Sequence, residues 1–326
     1  MTCNSTITLE NLENLQHFGE YLSFSGVLLL VPLLIVKLIV PKFRLFPSRL
    51  STLFVIANLS LNLTILAGLS QDWAQLWIDK LNHSPSTLFC RIQGFLFQFF
   101  ASAEVLLWLE IAVVMWFVLV KKKSFVELAE HEVKFHAVWI IGAMLMAGIP
   151  SFLHPAVPQL GASYCWLTEK DSFAYQICFL HAEMFLALAA GAVFVFKVLR
   201  KLSNKVSHDS RLSSAGGEND FVAVIWSYVL RHAMFLLGFS FIFVIIVVFV
   251  SNQILEIHGI WCVSLPMAYI HSVAVSGSGI VTFFVLSRVE YFRRAKDECC
   301  RNRNVEDEDE DDEKSDYLLH VGPEEE

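Results

Sequence analysis

The chain has 326 residues, 55% of them hydrophobic and 17% charged, with 28 Phe and a mean hydropathy of +0.55. Soluble chains run at about 45–50% apolar and about 25% charged, so a cytosolic enzyme, a disordered chain and a nucleic-acid binder are all poor fits. The net charge of −8 is uneven: residues 304–326 hold 12 of the 32 acids and one base, Lys314, which leaves the body near neutral and predicts a solvated acidic tail.

A membrane-crossing helix needs about 20 mostly apolar residues. Seven stretches qualify: 21–40, 51–69, 95–120, 135–153, 173–199, 230–250 and 263–286. None alternates like a β-barrel strand, and unpaired backbone in lipid leaves helices as the remaining solution. The expected architecture is an all-α membrane protein, a bundle of seven transmembrane helices. An N-terminal segment 1–20 precedes the bundle at 21–286; a basic juxtamembrane segment 287–304 and a disordered acidic tail 305–326 follow it. The first 20 residues lack Lys and Arg, so a cleaved signal is not expected and the first apolar run stays as an anchor.

In chain order, the N-terminal segment carries Cys3 and the sequon Asn4-Ser5-Thr6, a candidate glycosylation site. The first loop holds Lys42, Arg44 and Arg49. The second span contains Asn58 and Asn62, which open two further sequons within a helix. The next loop has Lys80 and the sequon Asn82-His83-Ser84, which the following Pro85 disfavours, before Cys90 and Arg91 begin the third span. That span carries Glu104 and Glu110 and is followed by Lys121, Lys122, Lys123 and Lys134. Cys165 and Lys170 lie in the loop between spans four and five. Lys197, Arg200, Lys201, Lys205 and Arg211 come after the fifth, and Arg231 enters the sixth. The tail opens with Arg288, Arg293, Arg294, Lys296, Arg301 and Arg303. Cytoplasmic loops concentrate Lys and Arg, so the alternation has one solution, with the N-terminus outside and the C-terminus inside.

The cysteines agree with that orientation. Cys3, Cys90, Cys165 and Cys262 fall outside, where disulfides persist. A bridge between Cys90 and Cys165 would pin the loop over the mouth of the bundle; Cys3 with Cys262 is a second pairing. Cys178 reads as a small buried apolar residue. Cys299 and Cys300, inside and within a basic run, suit palmitoylation and contact with membrane lipid.

Enzyme and cofactor signals are absent. His131 and His136 flank Glu132, but histidines five apart stand about 140° apart around a helix and cannot share a metal as i, i+4 pairs do. There is no Gly-rich phosphate loop, no serine elbow and no Lys in the seventh span to carry a retinal Schiff base. No catalytic residue, metal or cofactor is expected, and no nucleic-acid partner.

Seven helices, an outside N-terminus and the Cys90/Cys165 pair together look like a G-protein-coupled receptor. The run Phe89-Cys90-Arg91-Ile92-Gln93-Gly94-Phe95, followed by Gln98-Phe99-Phe100 and Leu107-Trp108, resembles the third helix of the slime-mould cyclic-AMP receptors and their plant and animal orphan relatives. Tyr164-Cys165-Trp166-Leu167 resembles the Cys-Trp stretch of that family's second extracellular loop. The likeness covers about residues 21–294, though its specific motifs are confined to these two places. It implies an orphan-like receptor in the plasma membrane that relays an unknown extracellular ligand to a heterotrimeric G protein. Other receptor subfamilies fit less well. The third span lacks an acidic-Arg ending, reading Met115-Trp116-Phe117-Val118-Leu119-Val120, and Ser276-Gly277-Ser278-Gly279-Ile280 stands where an Asn-Pro would be.

A charge in the bilayer costs about 2.5–3.5 kcal/mol or more at a helix centre. Glu104 lies about 21 Å past Cys90 at about 1.5 Å per residue, near mid-membrane. Asn58, Asn62, Ser276 and Ser278 are expected beside it, as a polar core that serves either as a protonation or ion switch or as a hydrogen-bonded structural acid. Arg91, Gln93, Trp166, His181 and His271 are ligand candidates, with Gln98, Glu183 and Tyr269 near them. His181 and Glu183, two apart, cannot both point inward from an ideal helix. Glu110, about 30 Å down the third helix, is expected to pair with Arg231 as a cytoplasmic latch, unless Arg231 snorkels to headgroups. Two other functions compete: a seven-helix channel or transporter using Glu104, Glu110, Glu183 and Arg231, and a non-signalling scaffold whose tail binds partners.

Overall fold

A computed structural model describes residues 9–46, 48–72, 75, 87–154, 156–159, 162–167, 177–209, 244–245 and 265–287. The expectations for Cys3, Asn4, Asn82, Arg231, Cys262, Cys299, Cys300 and the acidic tail, and most of the sixth span, lie outside them. The chain separates into two units, 1–286 and 287–326, and the described elements belong to the first.

The helices are α1 (Leu9–Ile39), α2 (Ser48–Leu66), α3 (Leu88–Leu119), α4 (Phe125–Ala129), α5 (Glu132–Leu153), α6 (Ala182–Asp209), α7 (Leu265–Ser276) and α8 (Ser278–Leu286). Short 3₁₀ turns follow α1 at Pro41–Arg44 and α2 at Ala67–Ser70. α1, α2 with its 3₁₀ turn, α3 and α5 are each long and apolar enough to cross a membrane, and α7 with α8, bent by 48°, make a fifth candidate. The apolar part of α6 is shorter, Ala182–Phe194. The chain is thus an all-α, multi-pass membrane protein, with four to five such spans among the described residues.

Two ends depart from the expected bounds. α1 starts at Leu9, well before residue 21, because its first turns are amphipathic: Leu15, Gln16, Gly19 and Glu20 are buried while Glu13 and His17 face out. A hydropathy window discounts such turns. α6 runs on to Asp209, so Arg200, Lys201 and Lys205 are helical rather than in a loop.

α3 is the central helix, packed against α2, α5 and α6, while α1 packs against α2, α7 and α8. The core runs along α3 through Phe97, Leu107, Trp108, Ile111 and Met115. Trp108 is fully buried and its ring fills the space that a side chain at Gly191 of α6 would occupy. α5 instead turns Ile141, Met144, Leu145 and Phe152 outward, an apolar face suited to lipid. Beyond α5 a two-stranded antiparallel hairpin pairs Val157–Pro158 (β1) with Cys165–Trp166 (β2), Val157 opposite Trp166.

The bend between α7 and α8 falls at Gly277. A Cβ there would collide with the Val273 carbonyl, which accepts the Gly277 N–H at 2.9 Å, so only glycine lets the helix close up and turn.

Candidate functional site

At the disulfide end of the bundle the hairpin is held as a lid. Cys90 at the start of α3 is bonded to Cys165 of β2. One turn along, Gln93 uses its whole amide: Nε2 donates to the carbonyls of Thr64 (2.9 Å) and Ser163 (3.1 Å), and Oε1 accepts the Cys165 N–H at 3.0 Å. Trp166 donates its indole N–H to Gln98 Oε1 at 2.7 Å, and Gln98 Nε2 donates to the Phe179 carbonyl at 2.9 Å. Phe97 stacks on Tyr164 with ring centroids 4.3 Å apart. Burial pushes the Tyr164 hydroxyl above its ordinary range and keeps it neutral. The residues that carried the sequence resemblance, Gln93, Gln98 and Trp166, are therefore the clamps of the lid. Gln93 and Trp166, expected as ligand contacts, are committed to protein partners, and Arg91 is exposed.

Beneath the lid lies a cavity of about 80 Å³, lined by Gln16 and Gly19 of α1, Ser163 of the loop, and His271, Ser272 and Ser276 of α7 among others. Gln16 donates to Glu20 at 2.8 Å, and Ser163 also donates to Glu20, tying α1 to the lid. Glu20, Gln16 and Ser163 were not singled out from sequence; an acid at the edge of the first apolar run was the available signal. Tyr269 packs edge-on against Phe18 of α1.

His181 and Glu183 are both buried, contrary to the helical-wheel argument. A π-helical turn at Ile177–His181 precedes α6, and the start of α6 is covered on two sides, so opposed side chains are both buried. His181 meets Trp166 edge-on at 5.9 Å, and Ser102 of α3 donates to Glu183 Oε2 at 2.9 Å. Cys178, expected to be buried, is exposed.

Midway along the bundle, four of the five expected polar-core residues meet. Asn62 donates to the Asn58 carbonyl at 2.9 Å and to its Oδ1 at 3.2 Å. Asn58 donates to Ser278 Oγ at 3.0 Å, and its side chain interacts with the Glu104 carboxyl group. Glu104 Oε1 and Asn62 Oδ1 have no hydrogen-bond partner. Ser276 is the exception: two residues apart across the Gly277 bend, it and Ser278 face different ways, and Ser276 belongs to the cavity wall. The close approach of α1 to α8 beside this cluster depends on a glycine pair, since a Cβ on Gly279 would stand 3.0 Å from the Gly26 Cα.

The opposite, basic end carries a charge network that sequence gave no sign of, because its members come from separate helices. Arg49 of α2 lies 3.3 Å from Glu132 Oε1 of α5, and His136 Nε2 lies 3.2 Å from the same oxygen. Trp139 donates to His136 Nδ1 at 3.3 Å, which assigns the neutral ring proton to Nε2. Glu110 Oε1 of α3 stands 3.6 Å from Nδ1, and neither Glu110 oxygen makes a hydrogen bond. Lys37, in the last turn of α1, is also buried and donates to Ser51 of α2 at 2.7 Å. Among the described residues no cluster of His, Cys, Asp or Glu is placed to hold a metal ion.

No family model and no curated protein matches the chain. Among solved structures, the crystal structure of squid rhodopsin is similar at a TM-score of 0.59 and 10% identity, covering 93% of this chain and 89% of that one. At that identity the likeness is one of fold: the chain has a rhodopsin-like helical bundle.

Proposed function

We propose that this chain is a G-protein-coupled receptor of the cyclic-AMP receptor-like kind, an orphan-like member that relays an extracellular signal to a heterotrimeric G protein. It acts by conformational change and performs no chemistry of its own. The observation that supports this reading best is the receptor-type bundle in which a buried acid, Glu104, sits at the crossing of α2, α3 and α8. Such a group is costly in the membrane, and a helix crossing that shares one acid among several elements suits a switch between two packings. The lid end then faces outside, with the small cavity beside His271 as the entry for a ligand and Asn4 as a glycan site. The basic end faces the cytosol of the plasma membrane, with Cys299 and Cys300 as lipid anchors.

On this reading Glu110 is the α3 half of a cytoplasmic latch whose other half is Arg231. Its buried carboxyl group faces His136 at 3.6 Å but neither oxygen is hydrogen-bonded, which leaves room for a second, cationic partner. The likeness to squid rhodopsin does not extend to retinal, because the seventh span has no Lys for a Schiff base. A G-protein dissociation panel on the expressed full-length protein, run first without added ligand, tests the proposal. Dissociation of at least one G-protein class is expected; silence across the panel together with a current abolished by Glu104→Gln would replace it with a transporter.

A further inference from the structure

Three buried polar atoms without partners fall on one path. Ser23 Oγ on α1, Asn62 Oδ1 on α2 and Glu104 Oε1 on α3 are each sealed from solvent and unbonded. Buried polar atoms are ordinarily paired, and each exception calls for a polar guest or a function. The path begins at the cavity under the lid, whose α7 side is Ser272 and Ser276. A Cβ on Gly19 would stand 3.0 Å from Ser272 Oγ and 3.4 Å from Ser276 Oγ, so these hydroxyls face α1 directly. Gln16, Gly19, Ser23 and Gly26 recur at helical spacing on one face of α1. That face therefore lies along α7 and α8 from the cavity down to Asn62, whose Oδ1 is 3.1 Å from a Gly26 Cβ position. The Asn62 and Asn58 amides pass no proton themselves; bonded to each other, they hold the wall of the path, and the unpaired Asn62 Oδ1 and Glu104 Oε1 are the acceptors that ordered water beyond Ser23 would bridge.

The guest must be small. A cavity of about 80 Å³ exceeds the share of liquid volume of a water molecule, about 30 Å³, whereas the Gly26–Gly279 contact leaves no passage for a hydrated metal ion. A relay of hydroxyls and ordered water needs only hydrogen-bond contact. We propose that Glu104 exchanges a proton with the extracellular side through this seam between α1 and the α7–α8 pair. The step balances simply: a hydronium at the cavity gives its proton to the relay, and the carboxylate at Glu104 becomes a carboxylic acid.

Other charges are engaged elsewhere. α2 has no charged residue between Arg49 and its end, and α8 has none. On α1, Glu20 sits at the cavity end with Gln16 and Ser163, and Lys37 bonds Ser51 at the other. Glu110, Glu132 and His136 form their own group, Glu183 is bonded to Ser102, and His271 stands at the cavity.

The inference rests on the receptor reading for the orientation and for the role of the polar core. Its test uses the full-length protein in vesicles, oriented with the C-terminus inside, and infrared difference spectra. The carboxyl band lost in Glu104→Gln identifies the group. Stepping the outer pH with the lumen clamped should change that band; stepping the inner pH should not. Ser23→Val should slow the response several-fold while leaving its final size, and Ser23→Thr, which keeps the hydroxyl, should respond like the parent. A band that follows the inner pH, ignores both, or is indifferent to Ser23→Val overturns the inference. If the band obeys the outer pH while Glu104→Gln leaves G-protein activation untouched, the receptor reading fails and the proton path stands. If Glu104→Gln changes activation while the band ignores outer pH, the receptor reading stands and the path fails.

Discussion

Asn58 donates to Ser278 across 3.0 Å and thereby joins α2 to the first turn after the Gly277 bend. Both residues are buried, Asn58 fully. Ser278→Ala strands a buried amide donor, a loss of about 1–3 kcal/mol. Thermal unfolding in nanodiscs should show it, and a cycle with Asn58→Leu should be non-additive by about 0.5–3 kcal/mol. Additive effects would mean that the bond does not couple the two helices.

Gln93 supports the lid through three hydrogen bonds. Gln93→Leu leaves the Cys165 N–H and two carbonyls without it, and each buried group left unsatisfied costs about 1–3 kcal/mol. The variant should keep its disulfide, seen as linked Cys90 and Cys165 peptides in a non-reduced digest. Its hairpin should nevertheless become protease-sensitive. A variant as resistant as the parent would show that the disulfide alone holds the lid.

The Cys90–Cys165 staple and the Asn58–Asn62–Glu104–Ser278 cluster are legible in the sequence for the same reason: polar or thiol groups inside apolar runs stand out, and helical rise fixes their depth. What depends on tertiary packing and on bends in the helices is not. His181 and Glu183 are both buried because the lid's Trp166 covers one and Ser102 of α3 meets the other, while Cys178 is exposed, and no local pattern signals either. Ser276 left the core because the Gly277 bend separates it from Ser278. The pair of Arg49 with Glu132 arises only when α2 and α5 flank α3, a tertiary fact with no local trace.

Ser102 and Glu183 give a cleaner test of polar matching inside the bundle. Ser102→Ala removes the donor to a buried carboxyl and should cost about 1–3 kcal/mol, whereas Ser102→Ala with Glu183→Leu, apolar on both sides, should recover most of it. Thermal unfolding of the pair measures this. No recovery would assign Glu183 a further partner essential to the fold.

For the proposed latch, Arg231→Ala and Glu110→Gln should each raise basal signalling, since removing one partner of a buried pair leaves the other uncompensated at about 3–5 kcal/mol. A charge swap of both should partly restore quiescence. Independent, additive effects on basal G-protein dissociation would sink the latch.

The most direct test of the account is Glu104→Gln in the G-protein dissociation assay, with surface expression matched to the parent. The substitution keeps shape and hydrogen-bonding capacity while fixing the group as neutral. The account predicts a clear change in basal activation of the same G protein that the parent engages. Unchanged activation, with or without loss of an ionic current, would contradict it.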